Sequence, residues 1–124
     1  MPLISLEYVD TLNLNNEKKV LEFSTSLLKE PINKNSLFVI RVDGQSMQPV
    51  IMDRTLVVAD LSQREIKDGE IYLVYYDNKM WIKKAKKELD GVSFISINEK
   101  YAHLVYQETE VRVVAKAVLS FNTF

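Results

Sequence analysis

The sequence predicts a mainly β fold, a compact domain of six or seven short, mostly antiparallel strands with little helix. Short runs rich in β-branched and aromatic residues recur along the chain. Polar or glycine-containing turn signals separate these runs at close spacing. At 124 residues, the chain has the length of one domain and can bury a real core. Together these features favour a β-sandwich or barrel-type architecture.

Strand signals are strongest from Leu37 onward. The run Leu37–Val42 closes at the turn signal Asp43-Gly44, and the fully apolar run Thr55–Ala59 is typical of a buried strand. The turn Asp77-Asn78 predicts a tight hairpin between the next two strands. The remaining predicted strands, in chain order, are Glu70–Tyr76, Lys79–Lys86, Val92–Ile97 and Val111–Leu119.

The first 35 residues have a weaker pattern. Residues Met1 to Lys19 predict an irregular arm with one edge strand, and Val20–Phe23 could form another strand. Ser24-Thr25-Ser26 offers N-cap side chains for a short helix through Leu27 and Leu28, which ends before Pro31. We therefore expect an N-terminal arm over 1–35 and the main domain over 36–124.

Composition excludes several classes of function. Lys and Arg number 16 against 17 Asp and Glu, which argues against a large basic surface for DNA. Any DNA contact is therefore expected from a separate domain or subunit. The chain has no cysteine, which excludes disulfides and thiolate chemistry. No apolar stretch approaches the ~20 residues of a membrane helix, and the N-terminus lacks a signal-peptide layout. We expect a soluble, cytoplasmic protein with no metal, no cofactor and no membrane contact.

A candidate nucleophile follows the first strong strand. In the segment Val42 to Pro49, Gly44 permits a sharp turn and Ser46 comes just after it. A nucleophile needs an exposed hydroxyl on a stiff turn, with main-chain N–H groups free to hold an oxyanion. Pro49 fixes its own φ and helps to hold the turn. The alternative is that Ser46 is an ordinary loop serine.

A serine nucleophile also needs a base, and a Ser-His-Asp triad would depend on the single histidine, His103. Lys83 offers another solution, because alternation on a strand places it beside Trp81 and Ala85. Burial disfavours the charged amine, and a lysine that acts as a base near neutral pH needs a pKa of roughly 7–8. One alternative is that Lys83 is simply part of a solvated run of lysines. Another is that the opposite face of the strand is the buried one, since Ile82 makes that face apolar as well.

These motifs together resemble the C-terminal domain of LexA-type repressors, phage repressors and UmuD-like polymerase subunits, the S24 family of Ser-Lys peptidases. The resemblance rests on three segments, GQSMQPVIMD, KDGEIYLVYYDNKMWIKK and VRVVAKAVL, and is strongest between Leu37 and Lys84. It implies a LexA C-terminal-like fold with Ser46 as nucleophile and Lys83 as general base. The main-chain N–H groups of Ser46 and Met47 would form the oxyanion hole.

Members of this family cut a loop of their own N-terminal to the domain, promoted by RecA filaments, and they form homodimers. By spacing, the equivalent bond here is Thr11-Leu12. The chain departs from the family pattern at this point, because the family cuts an Ala-Gly or Cys-Gly bond and no such bond occurs in the chain. Two further departures are Arg54-Thr55, where Gly-Asp is frequent, and Ala115-Lys116, where glycine is usual.

Three functions follow from the resemblance. The first is a self-cleaving regulatory peptidase and dimerisation domain of a transcriptional regulator in an SOS-type response, whose helix-turn-helix domain lies outside this chain. The second is a non-cleaving dimerisation or partner-binding module with a vestigial dyad, or a UmuD-like polymerase accessory subunit. The third is a relative of signal peptidases, which also pair a Ser-Met motif with a lysine; the absence of a membrane anchor disfavours it.

Overall fold

The computed structural model describes residues 3–10, 17–29 and 33–122, and within these ranges it contains nine strands in two antiparallel sheets. Helix is limited there to three single 3-10 turns, so none could cross a membrane. The mainly β prediction is confirmed. The strands are β1 (Leu3–Asp10), β2 (Glu17–Ser24), β3 (Leu37–Arg41), β4 (Leu56–Asp60), β5 (Ile71–Tyr76), β6 (Lys79–Glu88), β7 (Gly91–Ile95), β8 (Tyr106–Gln107) and β9 (Arg112–Phe121).

Strands β1 and β2 form a hairpin that pairs from Leu3↔Ser24 to Asp10↔Glu17. The edge strand and the strand at Val20–Phe23 form as predicted, but the irregular conformation expected around them is wrong for residues 3–10 and 17–19, which are regular strand. The hairpin forms because Ile4, Leu6 and Phe23 are buried in one cluster with apolar residues of β3 and β4. The intervening residues of β1 face solvent, as the period-2 alternation of a strand requires.

The other seven strands form one sheet in the order β3-β4-β9-β5-β6-β7-β8. Every residue of β4 is buried, which agrees with the fully apolar run that predicted this strand. Strand β9 lies between β4 and β5, and its register shifts twice, opposite Val58/Ala59 and opposite Leu73/Val74. Such bulges bend a strand and increase its twist. Strand β9 is therefore expected to bend at these two points.

The short helix predicted through Leu27 and Leu28 is wrong. Only one 3-10 turn forms, Thr25–Leu27, and Leu28 returns to an extended conformation. The predicted capping is present, since the Ser24 side chain accepts a hydrogen bond from the Ser26 N–H. Without a longer amphipathic run, a single capped turn has no packing that would extend it.

Asp60, the last residue of β4, is a buried carboxylate that is fully hydrogen-bonded. Its side chain is 1% exposed and accepts bonds from the Ser36 hydroxyl (2.7 Å), the Ser62 N–H (2.9 Å) and hydroxyl (2.7 Å), and the Gln63 amide (2.9 Å). Burial alone raises the pKa of this carboxyl, but the hydrogen bonds outweigh burial and hold the pKa below its usual value of 3.8. The ionised carboxylate therefore joins the end of β4 to the turn that follows it and to the 3-10 turn Lys34–Ser36 before β3.

We expect Asp60→Asn to lower the free energy of unfolding at pH 7 by about 1–3 kcal/mol, because an amide cannot accept all of these bonds. Since the folded-state pKa is lowered, the contribution of Asp60 is present above pH 3.8 and is lost as the pH falls through the folded-state value. Urea unfolding at pH 7 and pH 3 measures both effects. The exposed turn residue Asp90 provides the control, as Asp90→Asn. Equal stability of the two variants would contradict the structural role of Asp60.

Candidate active site

Ser46 lies in the loop between β3 and β4, and hydrogen bonds join the two ends of this loop. At its base, the Val42 N–H donates to the Thr55 carbonyl and the Arg54 N–H donates to the Val42 carbonyl, each at 2.8 Å. Gly44 has φ +126°, as the predicted sharp turn requires, and its N–H donates to the Asp53 carboxylate at 2.8 Å. Ser46 therefore follows a tightly held turn.

Two apolar side chains anchor this loop to the sheet. Met47 is 2% exposed and Ile51 is 4% exposed, and both belong to one cluster with Val42 and Val57. The Met47 side chain therefore packs in the core, while its main chain remains in the loop. Ser46 itself is half-buried. Among the described residues, no hydrogen bond uses the main-chain N–H of Ser46 or of Met47.

Lys83 lies on the apolar face of β6, as the alternation argument predicts. Its side chain is 0% exposed, and Ala85 on the same face is 1% exposed. The cross-strand neighbour of Lys83 on β5 is the fully buried Tyr72. Burial lowers the pKa of the Lys83 amine from 10.5 to about 8. The amine is therefore substantially uncharged at mildly alkaline pH.

Aromatic rings enclose the Lys83 amine. Its Nζ lies 5.4 Å from the ring centroid of Trp81 and 5.6 Å from that of Tyr106. Tyr106 stacks on Tyr76 with ring centroids 4.3 Å apart, and the Trp81 indole N–H donates to the Tyr76 carbonyl at 3.2 Å. The Trp81 and Tyr106 rings thus lie against the buried amine, and burial explains the direction of its pKa shift.

The hydrogen-bond partner of Lys83 is Ser96, just after β7. Nζ donates to Ser96 Oγ at 2.5 Å, and Ser96 is 9% exposed. In the described part of the chain, no hydrogen bond joins Lys83 Nζ to Ser46 Oγ. The predicted dyad is thus brought to neighbouring segments without a direct bond between its two side chains. Catalytic hydrogen bonds are often long or misaligned before substrate binds.

The segment that contains Ser96 also holds the Ser46 turn. The main-chain N–H of Asn98 donates to the Ser46 carbonyl at 2.9 Å, and the Asn98 side-chain amide donates to the Gln45 carbonyl at 2.9 Å. Ile97, between Ser96 and Asn98, packs against the cluster that contains Met47. Three consecutive residues therefore contact the lysine on one side and the serine turn on the other.

A mostly apolar cleft of about 540 Å³ opens beside Ser46. Its walls come from β3, the Ser46 loop, the start of β6 and the segment before β8, and Val9 of β1 lines it as well. Lys83 is fully buried and does not line the cleft, whereas its neighbour Trp81 does.

Other residues singled out from the sequence are placed as follows. His103 is exposed and makes no recorded hydrogen bond in the described part of the chain. Thr11 and Leu12 lie outside the described residues. Arg54 has φ +71°, a left-handed conformation that explains why glycine suits this position. In the described ranges, no group of three or more His, Asp or Glu side chains could hold a metal ion.

Sequence reasoning missed Ser96, Asn98 and Tyr106. A signal existed for Ser96, because alternation through β7 places it on the same face as Val92 and Phe94. A serine on an apolar face needs a polar partner, and Lys83 is that partner. No local pattern identifies Asn98 or Tyr106, since their roles depend on how a loop folds back.

Several known proteins are similar to this chain. An uncharacterised HTH-type transcriptional regulator of Haemophilus influenzae is 36% identical over 69 residues, which cover 56% of this chain and 29% of the relative. The HTH-type transcriptional regulator PrtR of Pseudomonas aeruginosa is 28% identical over 99 residues, or 77% of this chain and 39% of the relative. A LexA repressor of Thermosipho africanus is 30% identical over 82 residues, or 65% and 41%.

The matched segments thus span less than half the length of these relatives. The profile of the family described as Peptidase S24-like matches residues 9–118. This range includes the Ser46 loop, Lys83 and the segment from Ser96 to Asn98. The chain belongs to the Peptidase S24-like family.

Proposed function

We propose that this chain is the regulatory Ser-Lys peptidase domain of a cytoplasmic transcriptional regulator and that it cuts its own N-terminal arm. The arm over 1–35 would carry the bond that is cut, Thr11-Leu12, and residues 36–124 would carry the catalytic groups. One observation carries the proposal: the Lys83 amine is fully buried with a pKa lowered to about 8, and it bonds to Ser96 in the segment that holds the Ser46 turn.

In the proposed reaction, Lys83 first accepts a proton as base and later returns it as acid. Neutral Lys83 takes the proton of the Ser46 hydroxyl as Oγ attacks the carbonyl carbon of Thr11. The main-chain N–H groups of Ser46 and Met47 stabilise the resulting oxyanion. The Lys83 ammonium then returns the proton to the leaving amine of Leu12, and water hydrolyses the acyl-enzyme by the same steps.

The proposed base gives a specific pH dependence. We expect the rate at which Ser46 reacts with a fluorophosphonate to rise between about pH 7 and 9 and then to level off, because the pKa of Lys83 is about 8. Intact-mass measurement of the full chain from pH 6 to 10.5, with Ser46→Ala as the control, measures this rate. A rate that still rises at pH 10.5 would show that a normal lysine or hydroxide is the base.

The same samples test self-cleavage. We expect slow cutting at Thr11-Leu12 at alkaline pH in the wild type and none in Ser46→Ala. Mass spectrometry of the products identifies the bond. Products cut elsewhere, or cutting in both proteins, would contradict the proposed substrate.

The alternative is a non-cleaving module, either a dimerisation or partner-binding domain of a repressor or a UmuD-like polymerase accessory subunit. Two observations favour it: no Ala-Gly or Cys-Gly bond is present, and Lys83 bonds to Ser96 in place of Ser46 in the described structure. A Ser46 that is inert toward the fluorophosphonate at every pH supports this alternative.

The regulatory setting is proposed from the family. Relatives named as HTH-type regulators and repressors support a role in repression, with DNA contacted by a separate N-terminal domain. We further propose that this domain forms a homodimer and that a RecA filament promotes its cleavage in an SOS-type response. Sedimentation of the chain, and cleavage with and without RecA on single-stranded DNA, test these two proposals separately.

A further inference from the structure

The segment Ser96–Asn98 contacts both halves of the proposed dyad. Ser96 Oγ accepts a hydrogen bond from Lys83 Nζ at 2.5 Å, while Asn98 donates two hydrogen bonds, each 2.9 Å, to the carbonyls of Gln45 and Ser46. Because Ser96 and Asn98 are separated by one residue, a shift of the segment would move the lysine contact and the serine turn together.

A lysine side chain needs an anchor to act as a base. It has four rotatable side-chain bonds, and a neutral amine has two N–H groups and only one lone pair with which to take a proton. Fixing one N–H on an acceptor limits the directions in which that lone pair can point. Within the described residues, Ser96 is the hydrogen-bond acceptor of Lys83. A displacement of about 1 Å in such a group costs on the order of 10²-fold in rate.

We propose that Ser96 is a positioning residue, whose hydroxyl fixes the Lys83 amine so that its lone pair is available to the Ser46 hydroxyl. This inference rests on the proposed function, since it assigns a partner to the base of that reaction. Ser96 makes no contact with the reacting atoms in this role.

A hydroxyl suits this task better than a carboxylate. The amine bonds to Ser96 and lies over the Trp81 and Tyr106 rings, and no acidic side chain pairs with it in the described structure. A carboxylate would hold the amine in its charged form, whereas a serine orients it without adding a charge. Ser96 therefore fixes the geometry and leaves the amine free to lose its proton.

The test measures the reaction of the full chain with a fluorophosphonate across pH. We expect Ser96→Ala to slow modification of Ser46 by about 10- to 100-fold and to lower its pH midpoint, because the ammonium loses an acceptor. Ser96→Thr keeps the hydroxyl and should restore the rate to within about threefold. Ser93→Ala is the matched control, since Ser93 is also buried on β7 but bonds to Gln107. Peptide mapping identifies the serine that is modified.

A second measurement separates this inference from the proposed function. NMR titration of the Lys83 ε-methylene reports its pKa without any reaction, and we expect it to fall in Ser96→Ala. If wild-type Ser46 is inert but the titration moves, the proposed function fails and the contact between Ser96 and Lys83 stands. If Ser46 reacts equally fast in Ser96→Ala with the same midpoint, the positioning role is overturned. A label found on Ser96 itself also overturns it.

Ser96→Cys covers the case in which the alanine variant fails to fold. A cysteine side chain has nearly the volume of serine but is a weak hydrogen-bond acceptor. Ser46 of this variant should therefore react as slowly as we expect for Ser46 of Ser96→Ala. Reaction at the wild-type rate in folded Ser96→Cys would overturn the positioning role.

Discussion

Replacing Lys83 by methionine should abolish the chemistry of Ser46 and, at the same time, make the protein more stable. Removing a general base costs about 10²- to 10⁴-fold in rate. The same change removes a buried amine whose pKa is lowered from 10.5 to about 8, which corresponds to about 3 kcal/mol of stability lost to its burial. Methionine fills a similar volume without a charge, so we expect a gain of about 1–3 kcal/mol even after Ser96 loses its partner.

The stability gained in Lys83→Met should become smaller as the pH rises. Because the folded-state pKa of Lys83 is lowered, the unfolded chain binds the proton more tightly, and the penalty is fully present below pH 8. It fades as the pH rises from about 8 towards 10.5. Urea unfolding of wild type and Lys83→Met at pH 7 and pH 10 measures this change, and fluorophosphonate labelling of the same samples measures the rate.

Lys86 provides the matched control on the same strand. It is 60% exposed and its only recorded ion pair in the described structure, with Glu88 at 3.7 Å, lies at the surface. Lys86→Met should change neither the rate at Ser46 nor the pH dependence of stability. Loss of both activity and stability in Lys83→Met would contradict the idea that the lysine is kept at the expense of stability for a catalytic purpose.

The double substitution Thr11→Ala, Leu12→Gly should accelerate self-cleavage at this bond by about 10- to 100-fold. The family cuts between a small residue and a glycine, and neither Thr11 nor Leu12 fits that pattern. Glycine reaches backbone conformations that other residues avoid, and both changes remove side-chain bulk next to the scissile carbonyl. Time courses of the full chain at alkaline pH, with products identified by mass, measure the rate.

The control is the same double substitution in a Ser46→Ala background, which should remain intact. Equal rates for the wild-type and substituted bonds would show that side-chain bulk at Thr11-Leu12 does not limit the reaction. Cutting of the substituted chain without Ser46 would assign the hydrolysis to another group.

Much of the main sheet could be predicted from sequence because its strands are short, apolar and bounded by turns. The fully apolar run at β4 and the hairpin at Asp77-Asn78 both formed as predicted. The burial of Lys83 followed from simple alternation with Trp81 and Ala85 on β6. The local sequence pattern was sufficient for these strands and for Lys83, because the residues that determine strand formation and burial there are neighbours in the chain.

The remaining features depend on tertiary contacts. An edge strand was predicted in the first 19 residues, but its eight-residue length was not, because Leu3 and Val9 are apolar yet exposed and blur the alternation of Ile4 and Leu6. The two bulges of β9 arise from pairing with β4 on one side and β5 on the other. Alternation through β7 places Ser96 on the buried face, but Asn98 acquires its role only when the chain after β7 folds back onto the Ser46 turn, and no local spacing encodes that return.

The pairing of β1 with β2 has a consequence for what a cut would achieve. The bond between Thr11 and Leu12 lies in the connection between these two strands, which are matched along their whole length from Leu3↔Ser24 to Asp10↔Glu17. Hydrolysis there would leave the severed N-terminal piece still bound as a strand. Its departure would be a separate dissociation step with its own lifetime, and the delay between cutting and release would be set by how strongly one short strand holds to its neighbour.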